Sequence, residues 1–125
     1  CISLSLLLVL SFFVAAPAFA ATLIDDARSD ISDTGSLRIG WNATTFCYQD
    51  VDLGTIAIYI QRYNGSSWTT IGSDYHQQTN TNIIADSGGR SVSQAGYYRI
   101  KTYHSAYNDG ASQTKSFTSS SIYVN

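Results

Sequence analysis

Six residues stand out for what their side chains do together. Tyr97, Arg99, Lys101 and Tyr103 recur at every second position, and Tyr59 and Gln61 have the same spacing. On an extended chain, period two places each set on one face. Tyrosine offers an apolar ring and a hydroxyl, while amide, guanidinium and ammonium groups donate hydrogen bonds to hydroxyls and anions. Side by side, the two sets make a platform for a sugar polymer or for another protein. The plainer explanation is that Tyr and Thr form good strands with a wet face.

A second set is acidic. Asp50-Val51-Asp52 carries two carboxylates, and Asn108-Asp109-Gly110 adds a third beside an amide. If the two segments meet, Asp50, Asp52 and Asp109 offer the oxygen ligands that Ca²⁺ takes, although the spacing is not that of an EF-hand loop. No other cofactor is implied. The two histidines, His76 and His104, with Cys47 are too few for a zinc centre. Nucleophilic catalysis finds little support: no G-x-S-x-G elbow occurs, and a Cys47–His pair would have to work from inside a strand-like run. Glutamate is absent, and the aspartates lie in or near turns, where Asp bonds its own backbone. The chain is therefore read as non-catalytic.

Composition narrows the classes further. Charged residues make up 13% of the 125 residues, half the share in ordinary soluble domains, which argues against helical bundles and coiled coils. The apolar share of 44% argues against disorder. A net charge of −2 with no Lys/Arg stretch argues against a nucleic-acid partner.

The elements that must position these residues are strands. Residues 1–20 read as a secretory signal: an apolar run from Cys1 to Val14, then Ala18-Phe19-Ala20 as a small-x-small site with cleavage before Ala21. No starting Met or basic segment precedes the run, so it reads as truncated, and cleavage leaves no stable membrane anchor. Residues 21–125 then form one domain. Cys47 is the single cysteine left and is expected to be a small buried residue, with an intermolecular bridge or a reactive thiol as alternatives. Residues 21–32 are an edge strand or a short helical turn. Period-two alternation marks strands at 37–48, 55–63, 67–73, 79–86, 97–105 and 111–124, the last bulged near Phe117–Ser121. Asp50–Gly54 reads as a loop, Asn64-Gly65 and Asn108-Asp109-Gly110 as hairpin turns, and Ser87–Arg90 as a break. The expected core is Leu37, Ile39, Trp41, Ile56, Ile58, Ile60, Ile71, Ile83, Tyr98, Ile100, Ile122 and Val124. Trp68 either joins the outer Tyr59–Tyr103 surface or caps the core, with burial favoured.

This pattern predicts an all-β fold: an antiparallel immunoglobulin-like or fibronectin-III-like sandwich of about seven strands. Gly96-Tyr97-Tyr98-Arg99-Ile100 looks like the start of the F strand of such a domain, with Tyr98 bonding back to the preceding corner. Ile100 stands where that strand carries its Cys in antibody domains, so the Cys…Trp…Cys signature is missing. In the sandwich the B–C and F–G loops share one end, which would gather Asp50, Asp52 and Asp109.

Three segments carry a family resemblance: IQRYNGSSWTTI (Ile60–Ile71), GYYRIKTYHSAYNDG (Gly96–Gly110) and SIYV (Ser121–Val124). Through them the chain resembles small secreted single-domain proteins of Gram-positive, mostly clostridial, bacteria, which are grouped only as domains of unknown function. The resemblance implies a secreted β-sandwich and implies no activity. The expected function is an extracellular binding module, with the Tyr59–Tyr103 set as contact surface and a glycan, the cell wall or a protein as partner. A self-assembling matrix subunit using an edge strand or a Cys47 bridge is the alternative, followed by a small toxin or hydrolase. Oligomeric state is not readable from the residues.

Overall fold

The computed structural model describes residues 22–125; the expected signal segment at 1–20 and Cys1 lie outside the described residues. The described chain is all-β and antiparallel. Its strands are β1 (Ile24–Asp33), β2 (Arg38–Tyr63), β3 (Trp68–Ser91), β4 (Gly96–Asn108), β5 (Ala111–Thr118) and β6 (Ile122–Val124). Of the two options for residues 21–32, the strand is the one observed. The last expected strand is interrupted at 119–121, between β5 and β6, where the bulge was placed.

Pairing follows the path β1-β2-β4-β5, with β3 also on β2 and β6 on the start of β4. The two ends of β2 have different neighbours. Ile39–Phe46 lies between β1 and Ile83–Arg90 of β3, whereas Leu53–Arg62 lies between β4 and Thr69–Thr79 of β3. The register shifts between Phe46 and Val51, and opposite that point Asn80 takes a left-handed φ of 53°. Asn tolerates that conformation better than most residues. β1 pairs only with β2 yet packs against β4, β5 and β6, so the hydrogen-bonded path folds back over itself around the core. Polar bonds cross between the facing parts. The Leu23 and Ile24 amides donate to Gln113 Oε1 at 2.8 and 2.7 Å, and Thr45 Oγ1 meets His104 Nδ1 at 2.8 Å.

β2 and β3 are longer than the sequence signals indicate. Asp50–Gly54 and Ser87–Arg90 are strand, not loop and break. The glycines there serve close approach instead of a turn. A Cβ on Gly54 would lie 2.2 Å from Ile84 Cγ1, and one on Gly88 would lie 2.7 Å from Trp41 Cζ2. At Asn64 the connection is a four-residue turn: the Asn64 amide donates to Ser67 O at 2.9 Å, and Tyr63 faces Trp68.

Most of the expected core is buried: Ile39, Trp41, Ile56, Ile58, Ile60, Tyr98, Ile100 and Val124. Leu37, Ile71 and Ile122 are half-buried and pack against it. Ile83 is a correction, being 46% exposed while Ile84 is fully buried. Ile84 is paired with the buried Thr45, and opposed residues share a face, so the phase of β2 turns Ile84 inward and Ile83 out. β1 adds Ile24 and Ala27 to the core.

Tyr98 is buried, and its hydroxyl donates to the Gln94 carbonyl at 2.6 Å, four residues back, as its place at the strand start predicts. Burial raises its pKa, offset in part by the Arg62 charge. Tyr98→Phe keeps the ring packing and removes the bond. It is expected to lower stability by about 1 kcal/mol. The check is urea denaturation: a lower midpoint at an unchanged slope is expected. An unchanged midpoint would show that solvent replaces the bond.

Candidate functional site

The pairing of β2 with β4 builds the aromatic face. Tyr59 stands opposite Lys101, Gln61 opposite Arg99, and Ala57 opposite Tyr103. Ile58, Ile60, Ile100 and Thr102 alternate with these residues and are buried, so the first set must face out. From Tyr97 to Tyr103 the row runs roughly 20 Å at a strand's rise per residue. At its start Tyr97 meets Tyr123 of β6 edge-on, ring centroids 5.1 Å apart. In the middle the Arg99 Nε–H donates to Gln61 Oε1 at 2.8 Å, and its guanidinium carbon lies 4.2 Å from the centroid of the Trp68 ring. Farther on, Tyr59 and Tyr103 meet edge-on at 5.8 Å, with the Lys101 ammonium 5.7 Å from the Tyr103 ring. Tyr59, Gln61, Thr70, Lys101 and Tyr103 line a shallow depression of about 300 Å³.

All six residues singled out in the sequence therefore lie on one outward face, with Tyr97 at its far end. Tyr59 and Tyr103 brace each other, Tyr97 rests on Tyr123, and the Gln61 amide and Trp68 indole fix Arg99. Among the described residues neither Arg99 nor Lys101 forms an ion pair, so a chain of net negative charge presents two cations among exposed rings. Such a surface suits hydroxyl-rich or anionic groups that lie flat on it.

Of the two places open to Trp68, the outer face is the one observed, and the favoured core position is corrected. Trp68 is half-buried beneath Arg99 and beside Tyr63, at 5.4 Å between rings, instead of capping the core. Thr70 and Tyr123 join the face as well. A signal existed for Trp68. It is paired with Tyr63, which keeps the outward phase of Tyr59 and Gln61.

The acidic set is brought together in part. Asp109 and Gly110 take left-handed φ of 48° and 77° in the β4–β5 turn, and the Asp109 amide donates to Asp52 Oδ2 at 3.0 Å. The two segments thus meet, although Asp50 and Asp52 lie within strand β2 and not in the expected loop. The bond occupies one oxygen of Asp52 with a backbone donor, and Asp50 is exposed on β2. Among the described residues no group of three or more His, Cys or Asp side chains is gathered for a metal.

The other reactive groups are enclosed or tied. Cys47 is buried and unbridged, with a thiol pKa raised by burial. That enclosure disfavours an intermolecular bridge. His104 is fully buried between Thr45 and Thr102, and burial lowers its pKa to about 4, with Asp26 opposing. Asp74 and Asp86 are not legible as a pair in the sequence, because one follows the 67–73 strand and the other ends the 79–86 strand, with no spacing rule to join them. They sit in strand β3, on its two separately paired parts, close enough to hydrogen-bond. Asp86 is held above the usual carboxylate range by burial and then by Asp74; His76, 3.9 Å away, opposes this. Asp86 Oδ2 is buried with no hydrogen-bond partner among the described residues.

The sequence matches no protein-family model, no curated protein and no solved structure.

Proposed function

We propose that this chain is a small secreted, non-catalytic binding module of the immunoglobulin-like sandwich type, whose outer β2/β4 face holds an extracellular polysaccharide, cell-wall glycan first and protein second. The sandwich assignment is supported by the pairing order: β1, the start of β2 and the end of β3 on one side, and the start of β3, the end of β2, β4 and β5 on the other. The Tyr98–Gln94 corner bond supports it as well. Secretion rests on the signal segment at residues 1–20.

One observation carries the function. Tyr59 and Tyr103 meet edge-on beside Lys101 and the Arg99–Gln61 pair, above a depression too open to exclude water. An open, aromatic, hydrogen-bonding surface suits a polymer lying across it and does not suit a buried reaction. The test is a pull-down of the purified protein against cell-wall polysaccharide and intact bacterial cells, with and without calcium. Saturable binding is expected, and Tyr59→Ala with Tyr103→Ala should weaken it at least tenfold, the loss of about 1.4 kcal/mol or more. Both rings are more than a third exposed, so the melting temperature should change little. Binding that is indifferent to both substitutions overturns the assignment. Calcium dependence would implicate Asp50, Asp52 and Asp109.

Self-assembly is the second function that an observation favours. Among the described residues β3 pairs only with β2 along its 24 residues, leaving its other edge open there. Absence of ligand binding together with concentration-dependent growth in light scattering would shift the assignment there.

A further inference from the structure

A different part of the molecule carries a second site. Where the β3–β4 connection closes over the ends of the strands, a cavity of about 240 Å³ is lined by Arg62, Ile71, Arg90, Tyr98 and the stretch from Ser91 to Gln94. It does not belong to the outer face. Ile71 and Tyr98 are the inward neighbours of Thr70 and Arg99, which line that face, and alternation along the strand separates the two.

Two guanidinium groups border this small space, and among the described residues neither has a carboxylate in ion-pair range. Arg62 Nε is shielded from solvent and meets no hydrogen-bond acceptor. A buried donor without an acceptor is costly, and on a charged group more so. Arg90 is deliberately placed. It reaches from the end of β3 across to the start of the same strand, and lies so close over Gly72 that a Cβ there would fall 1.6 Å from Nη1. Only the missing side chain at Gly72 gives the guanidinium its place. The remaining walls are mixed: Ile71, Val92 and the Tyr98 ring are apolar, and Ser91, Ser93 and Gln94 are polar. Guanidinium forks match the planar carboxylate in a bidentate manner. The apolar part of the wall, Ile71, Val92 and the Tyr98 ring, gives an organic body a contact that a fully hydrated phosphate does not use.

We infer that this cavity is a receptor for a carboxylate carried on a small apolar body, gripped by Arg62 and Arg90, with Gly72 as the positioning residue for Arg90. Two sources share that chemistry: the C-terminus of a peptide chain and a free organic acid. At this volume the ligand is fragment-sized, so affinities in the micromolar-to-millimolar range are expected.

Calorimetric titration of the whole protein at fixed ionic strength tests the assignment. The probes are N-acetyl-leucine, hexanoate, N-acetyl-leucinamide and inorganic phosphate. A carboxylate should bind saturably, and the amide at least about tenfold more weakly. N-acetyl-leucine ahead of hexanoate identifies a chain terminus, and the reverse order identifies a free acid. Arg90→Gln should lower carboxylate affinity by about tenfold or more. Gly72→Ala should do the same while leaving the melting temperature nearly unchanged, because the atom it displaces is the far end of a flexible side chain. Arg99→Gln, on the outer face, should leave carboxylate affinity as it is. The site is refuted by carboxylate titrations that do not saturate, by binding of phosphate alone, or by affinity that ignores both Arg90→Gln and Gly72→Ala. None of these results touches polysaccharide binding at Tyr59 and Tyr103, so the two assignments fail independently.

Discussion

Acidification from pH 6.5 to about 4 is expected to remove about 3 kcal/mol of folding stability through His104 alone. The ring is fully buried with both nitrogens engaged. Thr102 Oγ1 donates to the Phe117 carbonyl at 3.3 Å and therefore accepts from Nε2–H at 2.7 Å. Nδ1 is left to accept from the Thr45 hydroxyl at 2.8 Å. This network suits a neutral imidazole. Protonation would place a charge where burial opposes it, and Asp26 offsets only part of that. The unfolded chain takes up its proton near pH 6.5 and the folded chain only near 4. Between those values the unfolded state binds more protons, so stability is fully present above 6.5 and falls as the pH falls. Asp86 acts in the opposite sense at the acid end, because its raised pKa lets the folded state hold a proton the unfolded chain has released. Urea titrations across this range read the slope. His104→Gln should flatten it even though the variant starts from lower stability. A variant that keeps the wild-type slope would assign the acid sensitivity to other groups.

Gly54→Ala is expected to destabilise the fold by about 2 kcal/mol or more, although it adds one methyl group to a strand. Alanine forms strands better than glycine does in isolation, so local preference points the other way. The contact decides. The new Cβ would lie 2.2 Å from Ile84 Cγ1 and 2.3 Å from Cδ1, and Ile84 is fully buried. Ile84 is held by its pairing with Thr45, so the side chain has no open space to enter. Ile84→Ala removes the atoms in conflict and by itself costs about 2–5 kcal/mol as a core truncation. Adding Gly54→Ala to Ile84→Ala should then cost little. A double-mutant cycle reads this as a coupling of about 1 kcal/mol or more. Additive effects would show that the clash is relieved by backbone movement.

These two sites show where local signals stop. Gly54 lies in Asp50–Gly54, whose composition is that of a loop, and the Ser87–Arg90 stretch reads as a break. Both are strand, because glycine reports equally on a turn and on a close approach. Only the facing residue, Ile84 or Trp41, separates those cases. Ile83 and Ile84 pose the same difficulty. Two adjacent isoleucines carry no phase of their own, and Thr45 on the partner strand supplies it. The Asp74–Asp86 pair and the Arg62–Arg90 cavity join segments that no spacing rule connects.

What the sequence determined alone was local. The alternation of Tyr97, Arg99, Lys101 and Tyr103, and of Tyr59 and Gln61, put each set on one face of its own strand, because the pleat has period two whatever the surroundings. Asp109 and Gly110 made a turn because their conformations favour left-handed φ, and Tyr98 bonded back four residues to Gln94. The tertiary structure decided which strands became neighbours, which isoleucine turned inward, and that Trp68 would lie beneath Arg99 instead of in the core. Those outcomes depend on burial summed over distant residues, and one strand's pattern does not contain that sum.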